Sequence, residues 1–346
     1  MLEDAFLRHL PHRLADVIAS AFFVLGSLPA CAELASTLVD YVWYGTAFAL
    51  QWVPGARALS RRLMARALRL DAPTFGISVT PIDTATVNDG RDTLRGTLWL
   101  PAGPRAPSGP FPVVIIRTPY GQRAHLEVGQ GVLAERGYAV LYQNTRGRCG
   151  SDGEFVPVEH ERADGAATVR WVRAQPWCNG RVAVCGFSYL GFTAWACVGA
   201  CAPGELQAAI PLVSQSRIHS AAFVQGGALS LELVILWLFL VLRVLATASP
   251  LAQARAWLDA WRGATFSRAQ MHTPLRELDR LLLGKHVAFI RGALAHPDAD
   301  GPFWRSRDKL CDIADVAARG ALPTMHIVTG WCARASSPLR ARARRA

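Results

Sequence analysis

Four short apolar runs are separated by segments of helical period. The runs are PVVIIR at 112–117, GYAVLYQ at 137–143, RVAVCG at 181–186 and LQAAIPLV at 206–213; the segments between them are 124–136, 160–174 and 189–201. Runs this short, rich in β-branched residues and not alternating with polar ones, suit strands buried on both faces. Parallel strands need crossover connections, and the helical segments between the runs supply them. The pattern therefore predicts an α/β fold with a mainly parallel sheet covered on both faces. Upstream, TVNDGRDTLRGTLWLP reads as a hairpin turning at Asn88-Asp89-Gly90. A last strand is expected at 322–330, LPTMHIVTG.

Between the strands at 206–213 and 322–330 lie over a hundred residues of mostly helical pattern. That is too long for a plain crossover and predicts an inserted helical cap. Within it, LVILWLFLVL at 233–242 is too short to span a bilayer and is expected as one buried helix. The expected organisation is an apolar helical N-terminal extension over 1–75, a core over 76–213, a cap over 214–321, a last core strand in 322–332 and an Arg-rich tail over 333–346. In the extension, sixteen residues without charge lie between Asp16 and Glu33, and sixteen more between Asp40 and Arg57. Three readings are open: packed helices, helices on a membrane surface through residues 14–56, or a cleaved signal ending near PACA.

With 346 residues, of which 51% are hydrophobic, the chain can bury a large core and is not a disordered protein. The net charge of +11 comes almost wholly from arginine, and five arginines fall in the last fourteen residues, ARASSPLRARARRA. No basic stripe interleaved with aromatics appears, so a nucleic-acid partner is not expected. The eight cysteines contain no C-x-x-C pair, which points to buried thiols in a reducing compartment rather than a metal site. No metal or cofactor is expected. The cytoplasm is the expected location, with membrane association or export as alternatives.

Chemistry concentrates in VAVCGFSYLGFTAW at 182–195. Gly186-Phe187-Ser188-Tyr189-Leu190-Gly191 reads as a sharp turn from strand to helix, G-x-S-x-x-G, which would strain the serine backbone and expose its Oγ. The amide that follows, aided by the helix N-terminus, would face a developing oxyanion.

Around it, IIRTPYGQR at 115–123, YQNTRGRCGSDGEF at 142–155, DGAATVRWVRAQPWCNGRVAVCGFSYLGFTAW at 164–195 and HPDADGPFWR at 296–305 occur in order. Over residues 78–332 the chain resembles the cocaine-esterase-like branch of the α/β-hydrolases, which includes the X-Pro dipeptidyl-peptidases and α-amino-acid ester hydrolases. The resemblance implies an α/β-hydrolase sheet with a helical cap and hydrolysis of a small-molecule ester or amide. It implies Ser188 as the nucleophile forming an acyl-enzyme, the Tyr189 backbone N–H as one oxyanion donor and the Tyr120 hydroxyl as the second. Trp171 and Trp177 are expected to pack around the elbow, and Arg146 and Arg148 to hold their loop through ion pairs with Asp152 or Glu154.

The same resemblance marks where the pattern breaks. Gly330-Trp331-Cys332-Ala333 places alanine where the family carries its acid, and no histidine follows His326. The other histidines downstream of Ser188 are His219, His272, His286 and His296, in the cap or its flanks. The family's C-terminal β-sandwich is likewise not expected in this sequence. These features predict a serine hydrolase catalytically incomplete in this form, with a frameshifted or genuinely basic tail. The alternative is a non-catalytic protein of the same fold that associates with a membrane or a partner.

Overall fold

The computed structural model describes residues 56–121, 128–244, 249–263, 265–305 and 307. The expectations for residues 1–55, for the strand at 322–330, for Ala333 and for the Arg-rich tail lie outside the described residues.

Strands β1 (Gly76–Val87) and β2 (Asp92–Ala102) form the expected antiparallel hairpin. Its turn uses positive φ at Asn88, Asp89 and Gly90, residue types that enter the left-handed region at low cost. They join β3 (Phe111–Thr118), β4 (Ala139–Asn144), β5 (Cys178–Phe187) and β6 (Ala208–Leu212) in one sheet of order β1-β2-β4-β3-β5-β6. β4, β3, β5 and β6 pair in parallel, and β2 is antiparallel to both its neighbours. Every residue of β4 and nearly every residue of β3 is buried, as unbroken apolar runs require.

The chain divides into two compact units, residues 1–73 with 124–132 and residues 74–123 with 133–346. In the first, helix α1 (Arg57–Ala67) packs Met64 and Leu63 with Val132, which lies on helix α2 (Val128–Ala134). In the second, helices α3 (Glu161–Arg173) and α4 (Tyr189–Ala200) pack on each other and on β3 and β5. α4 carries no charge and is buried from Tyr189 to Gly199, the signature of a helix covered all round. α3 buries Glu161, Asp164, Gly165, Thr168, Val169 and Val172, a helical stripe whose first turn is acidic.

Residues beyond β6 build the cap. A π turn at His219–Phe223 leads into a small hairpin, β7 (Val224–Gln225) with β8 (Ala228–Leu229), and then helix α5 (Leu231–Trp237). The single helix expected over 233–242 is corrected here: the chain changes from α to π winding at Leu238, and the π segment runs Leu238–Val244. The junction keeps Val234, Ile235, Leu238, Phe239 and Val241 buried while Leu233 and Leu236 face outward. Helices α6 (Pro250–Arg262), α7 (Thr265–Gln270), α8 (Leu278–Leu283), α9 (Ala288–Ala295) and α10 (Pro302–Arg305) follow. Cap residues Phe223, Leu278, Phe289 and Trp304 belong to the same hydrophobic cluster as Val184 and Phe192 of the core. Each such large apolar side chain contributes about 1.5–3 kcal/mol on burial, so cap and core are cohesive. Among the described residues no helix is long and apolar enough to cross a membrane.

Candidate active site

Ser188 occupies the turn between β5 and α4 with φ 57° and ψ −126°, a conformation that L residues rarely adopt. Its N–H is held by the Leu212 carbonyl of β6 at 2.9 Å, and its carbonyl accepts from the Phe192 N–H at 3.0 Å. The two flanking glycines are sterically required. A Cβ on Gly186 would lie 2.5 Å from Leu190 Cβ, and one on Gly191 would lie 2.6 Å from Ser214 Cβ and 2.8 Å from the Gly186 carbonyl. Strand and helix therefore approach as closely as the motif anticipates.

Tyr120 follows β3 and brings its hydroxyl to this turn. The Ser188 and Trp237 side chains and the Tyr189 backbone N–H all stand close enough to its hydroxyl to act on it. Burial raises the Tyr120 phenol above its ordinary value, and those three contacts only partly oppose the shift, so it remains a neutral hydroxyl. The sequence motifs thus meet in space: Ser188, the Tyr189 N–H and Tyr120 share one point. Trp237, which no motif singled out, is the fourth group there. Its one advance sign was an aromatic residue near the middle of an apolar run, LVILWLFLVL, a feature shared by ordinary core helices.

Beneath the turn lies a buried polar network. Arg117 of β3 donates to Gln143 Oε1 at 2.9 Å and pairs with Glu161 at 3.0 Å. Glu161 and Asp164 together keep its guanidinium charged against the cost of burial. Tyr189 is pinned to this network by its own hydroxyl, which donates to Glu161 Oε1 at 3.0 Å and accepts from the Val158 N–H at 2.9 Å. Gln143 continues the chain to Thr84 Oγ1 at 2.7 Å.

Two expectations are corrected. Arg146 pairs with Asp164 and with Asp92, and the partner of Asp152 is Arg95. Arg148 instead donates to the Pro119 carbonyl at 2.8 Å and the Val241 carbonyl at 3.1 Å. The nearest charges in sequence lost to Asp164 because the first turn of α3 lies under the sheet, against the arginine. Trp171 and Trp177 pack on each other at 6.1 Å, but Trp177 precedes the first residue of β5, at the opposite end of that strand from Ser188. They support the sheet rather than the elbow.

Three of the four described histidines beyond Ser188 are engaged in the cap: His219 Nε2 meets the Pro297 carbonyl at 2.9 Å, His286 lies against Asp279 and Arg291, and His296 stacks on Phe303. The fourth, His272, has its Nε2 buried without a hydrogen-bond partner among the described residues. Among the described residues no histidine is bonded to Ser188, and no group of three or more His, Cys, Asp or Glu could hold a metal ion.

This strand order, with a strained serine where β5 turns into a buried helix and a cap following β6, defines the α/β-hydrolase class. The chain belongs to the X-Pro dipeptidyl-peptidase (S15) family, whose model matches residues 89–332. Cocaine esterase of Rhodococcus sp. (strain MB1 Bresler) is 32% identical over 235 residues, 64% of this chain and 39% of that protein. The chain therefore spans well under half the length of that curated relative. Among solved structures, the rice cell wall degrading esterase LipA from Xanthomonas oryzae has a TM-score of 0.49 at 16% identity, over 80% of this chain and 90% of that one. An aminopeptidase from a marine sediment Thaumarchaeota archaeon has a TM-score of 0.48 at 21% identity, over 74% of this chain and 43% of that one.

Proposed function

We propose that this chain carries the nucleophile and oxyanion site of a serine hydrolase acting on a small-molecule ester or amide. Ser188 Oγ attacks the carbonyl carbon as it gives up its proton, and the carbonyl oxygen takes the negative charge. Collapse breaks the bond to the leaving group, which departs as the alcohol or amine carrying that proton and leaves an acyl-Ser188. The Tyr189 N–H and the Tyr120 hydroxyl are the donors for that oxygen, each worth about 10²–10³ in rate. The single observation that carries the reading is the convergence of Ser188, the Tyr189 N–H and the Trp237 indole on the Tyr120 hydroxyl.

We also propose that this form is catalytically incomplete. The family resemblance implies that Ala333 falls at the acid position, and no histidine contacts Ser188 among the described residues. Losing base and acid typically lowers turnover by about 10⁴–10⁶, leaving what the oxyanion donors and binding provide. Ala333 also favours the second reading, a non-catalytic protein that keeps the fold to bind a partner. A fluorophosphonate probe tests both readings. Slow labelling of the folded chain that vanishes in Ser188→Ala is the expected result; a folded chain that takes no label at any pH leaves only the binding reading.

A further inference from the structure

The cap reaches the Ser188 site at two places. Trp237, the last residue of α5, stacks its indole on Tyr189, with ring centroids 6.1 Å apart and 21° between the planes, and its side chain lies beside the Tyr120 hydroxyl. In the π segment that follows, the Val241 carbonyl accepts from Arg148 Nη2 at 3.1 Å. The same guanidinium donates through Nε to the Pro119 carbonyl at 2.8 Å, immediately before Tyr120, and lies 5.3 Å from the Phe155 ring centroid. A planar fork can hold two carbonyls at once in fixed geometry, which a lysine ammonium cannot. One contact grips the Tyr120 hydroxyl and the other the backbone just before it, and both originate on either side of the α/π junction at Leu238.

We infer that Trp237 and Arg148 are positioning residues that couple the cap to Tyr120, so that the seating of the cap on the core sets whether the Tyr120 hydroxyl is in place beside Ser188. The inference rests on the reading of Ser188 and Tyr120 given above. On the core side, Tyr120 is held by its N–H bond to Thr118 Oγ1 at 3.1 Å and by an edge contact with Tyr189 at 6.5 Å. The Ser188 side chain and the Tyr189 N–H reach the hydroxyl from the core and Trp237 reaches it from the cap, which makes the oxyanion site a joint product of core and cap.

The experiment uses the full chain and two readouts. The first is the rate of Ser188 labelling by a fluorophosphonate in Trp237→Phe, which keeps an aromatic ring and deletes the donor, in Tyr120→Phe, and in the double variant. Each single change is expected to slow labelling about tenfold or more, and the double variant to be no slower than Tyr120→Phe alone. Wild-type labelling in Trp237→Phe, or losses that multiply in the double variant, overturns the coupling. The second readout is hydrogen exchange in Arg148→Met, with Arg148→Lys read in the same way if the methionine variant does not fold. Exchange is expected to accelerate together in 118–121 and 238–244 while β4 and β5 are unchanged; acceleration in only one segment, or in neither, overturns it. Exchange does not depend on Ser188 chemistry. A wild-type chain that takes no label therefore defeats the Ser188 reading, while exchange still decides the coupling.

Discussion

The Tyr189 hydroxyl donates to the buried Glu161 Oε1 at 3.0 Å, while the N–H of the same residue faces the Tyr120 hydroxyl at the reacting end. One side chain thus ties the turn that carries Ser188 to the Arg117–Glu161 pair under the sheet.

Tyr189→Phe leaves the Val158 N–H without its acceptor and removes the donor from Glu161 Oε1. An unmatched buried group costs about 1–3 kcal/mol, so the urea midpoint is expected to fall with an unchanged slope. A variant as stable as the parent would mean that the phenol is not an anchor.

Ser188 holds φ at 57°, which costs about 1–3 kcal/mol for a residue with a Cβ. Ser188→Gly relieves this and Ser188→Ala does not. The glycine variant is expected to melt several degrees above the alanine variant in calorimetry, although both lose the hydroxyl. Equal melting temperatures would refute stored strain at the turn.

Asp279 is buried in the cap and accepts from the Arg280 and Val287 N–H groups at 2.7 Å each. Burial pushes its carboxyl up, but the N–H groups of Val287 and Arg280, with His286 and Arg291, outweigh it and hold the carboxyl below its ordinary value. With the folded value below the unfolded one of about 3.9, this stabilisation is present above about pH 4 and is lost as pH falls through the folded value. Asp279→Asn should therefore be less stable at neutral pH and show a shallower loss of stability below pH 4, read from urea midpoints across that range.

Burial pushes the Cys185 and Cys197 thiols up to about 11, whereas Cys149 is exposed. At pH 8 only about one in a thousand of such buried thiols is ionised, so alkylation of the native chain should reach Cys149 and spare Cys197. Peptide mass mapping before and after unfolding checks the order of modification.

Much of the fold was legible in local pattern. Three residues tolerant of positive φ marked the hairpin turn, β-branched runs marked the buried strands, and Gly186 and Gly191 marked the closest approach of strand and helix. The π winding after Leu238 was not legible, because an apolar run reads the same in either winding. The partners of Arg146 and Arg148 were misread because nearby acids in sequence look like the obvious match. Asp164 wins by lying on a helix that the sheet covers.

By itself, the sequence determined the parallel α/β core and the glycine-flanked turn at Ser188, since both follow from period and from residues whose backbone tolerance is intrinsic. Only the tertiary structure decided what surrounds that serine. Arg117 meets Glu161 44 residues away, Tyr189 meets the same glutamate across 28, and Arg148 reaches Val241 across 93. Hydrogen-bond partners at such separations depend on how helices seat against the sheet, and no local periodicity encodes that.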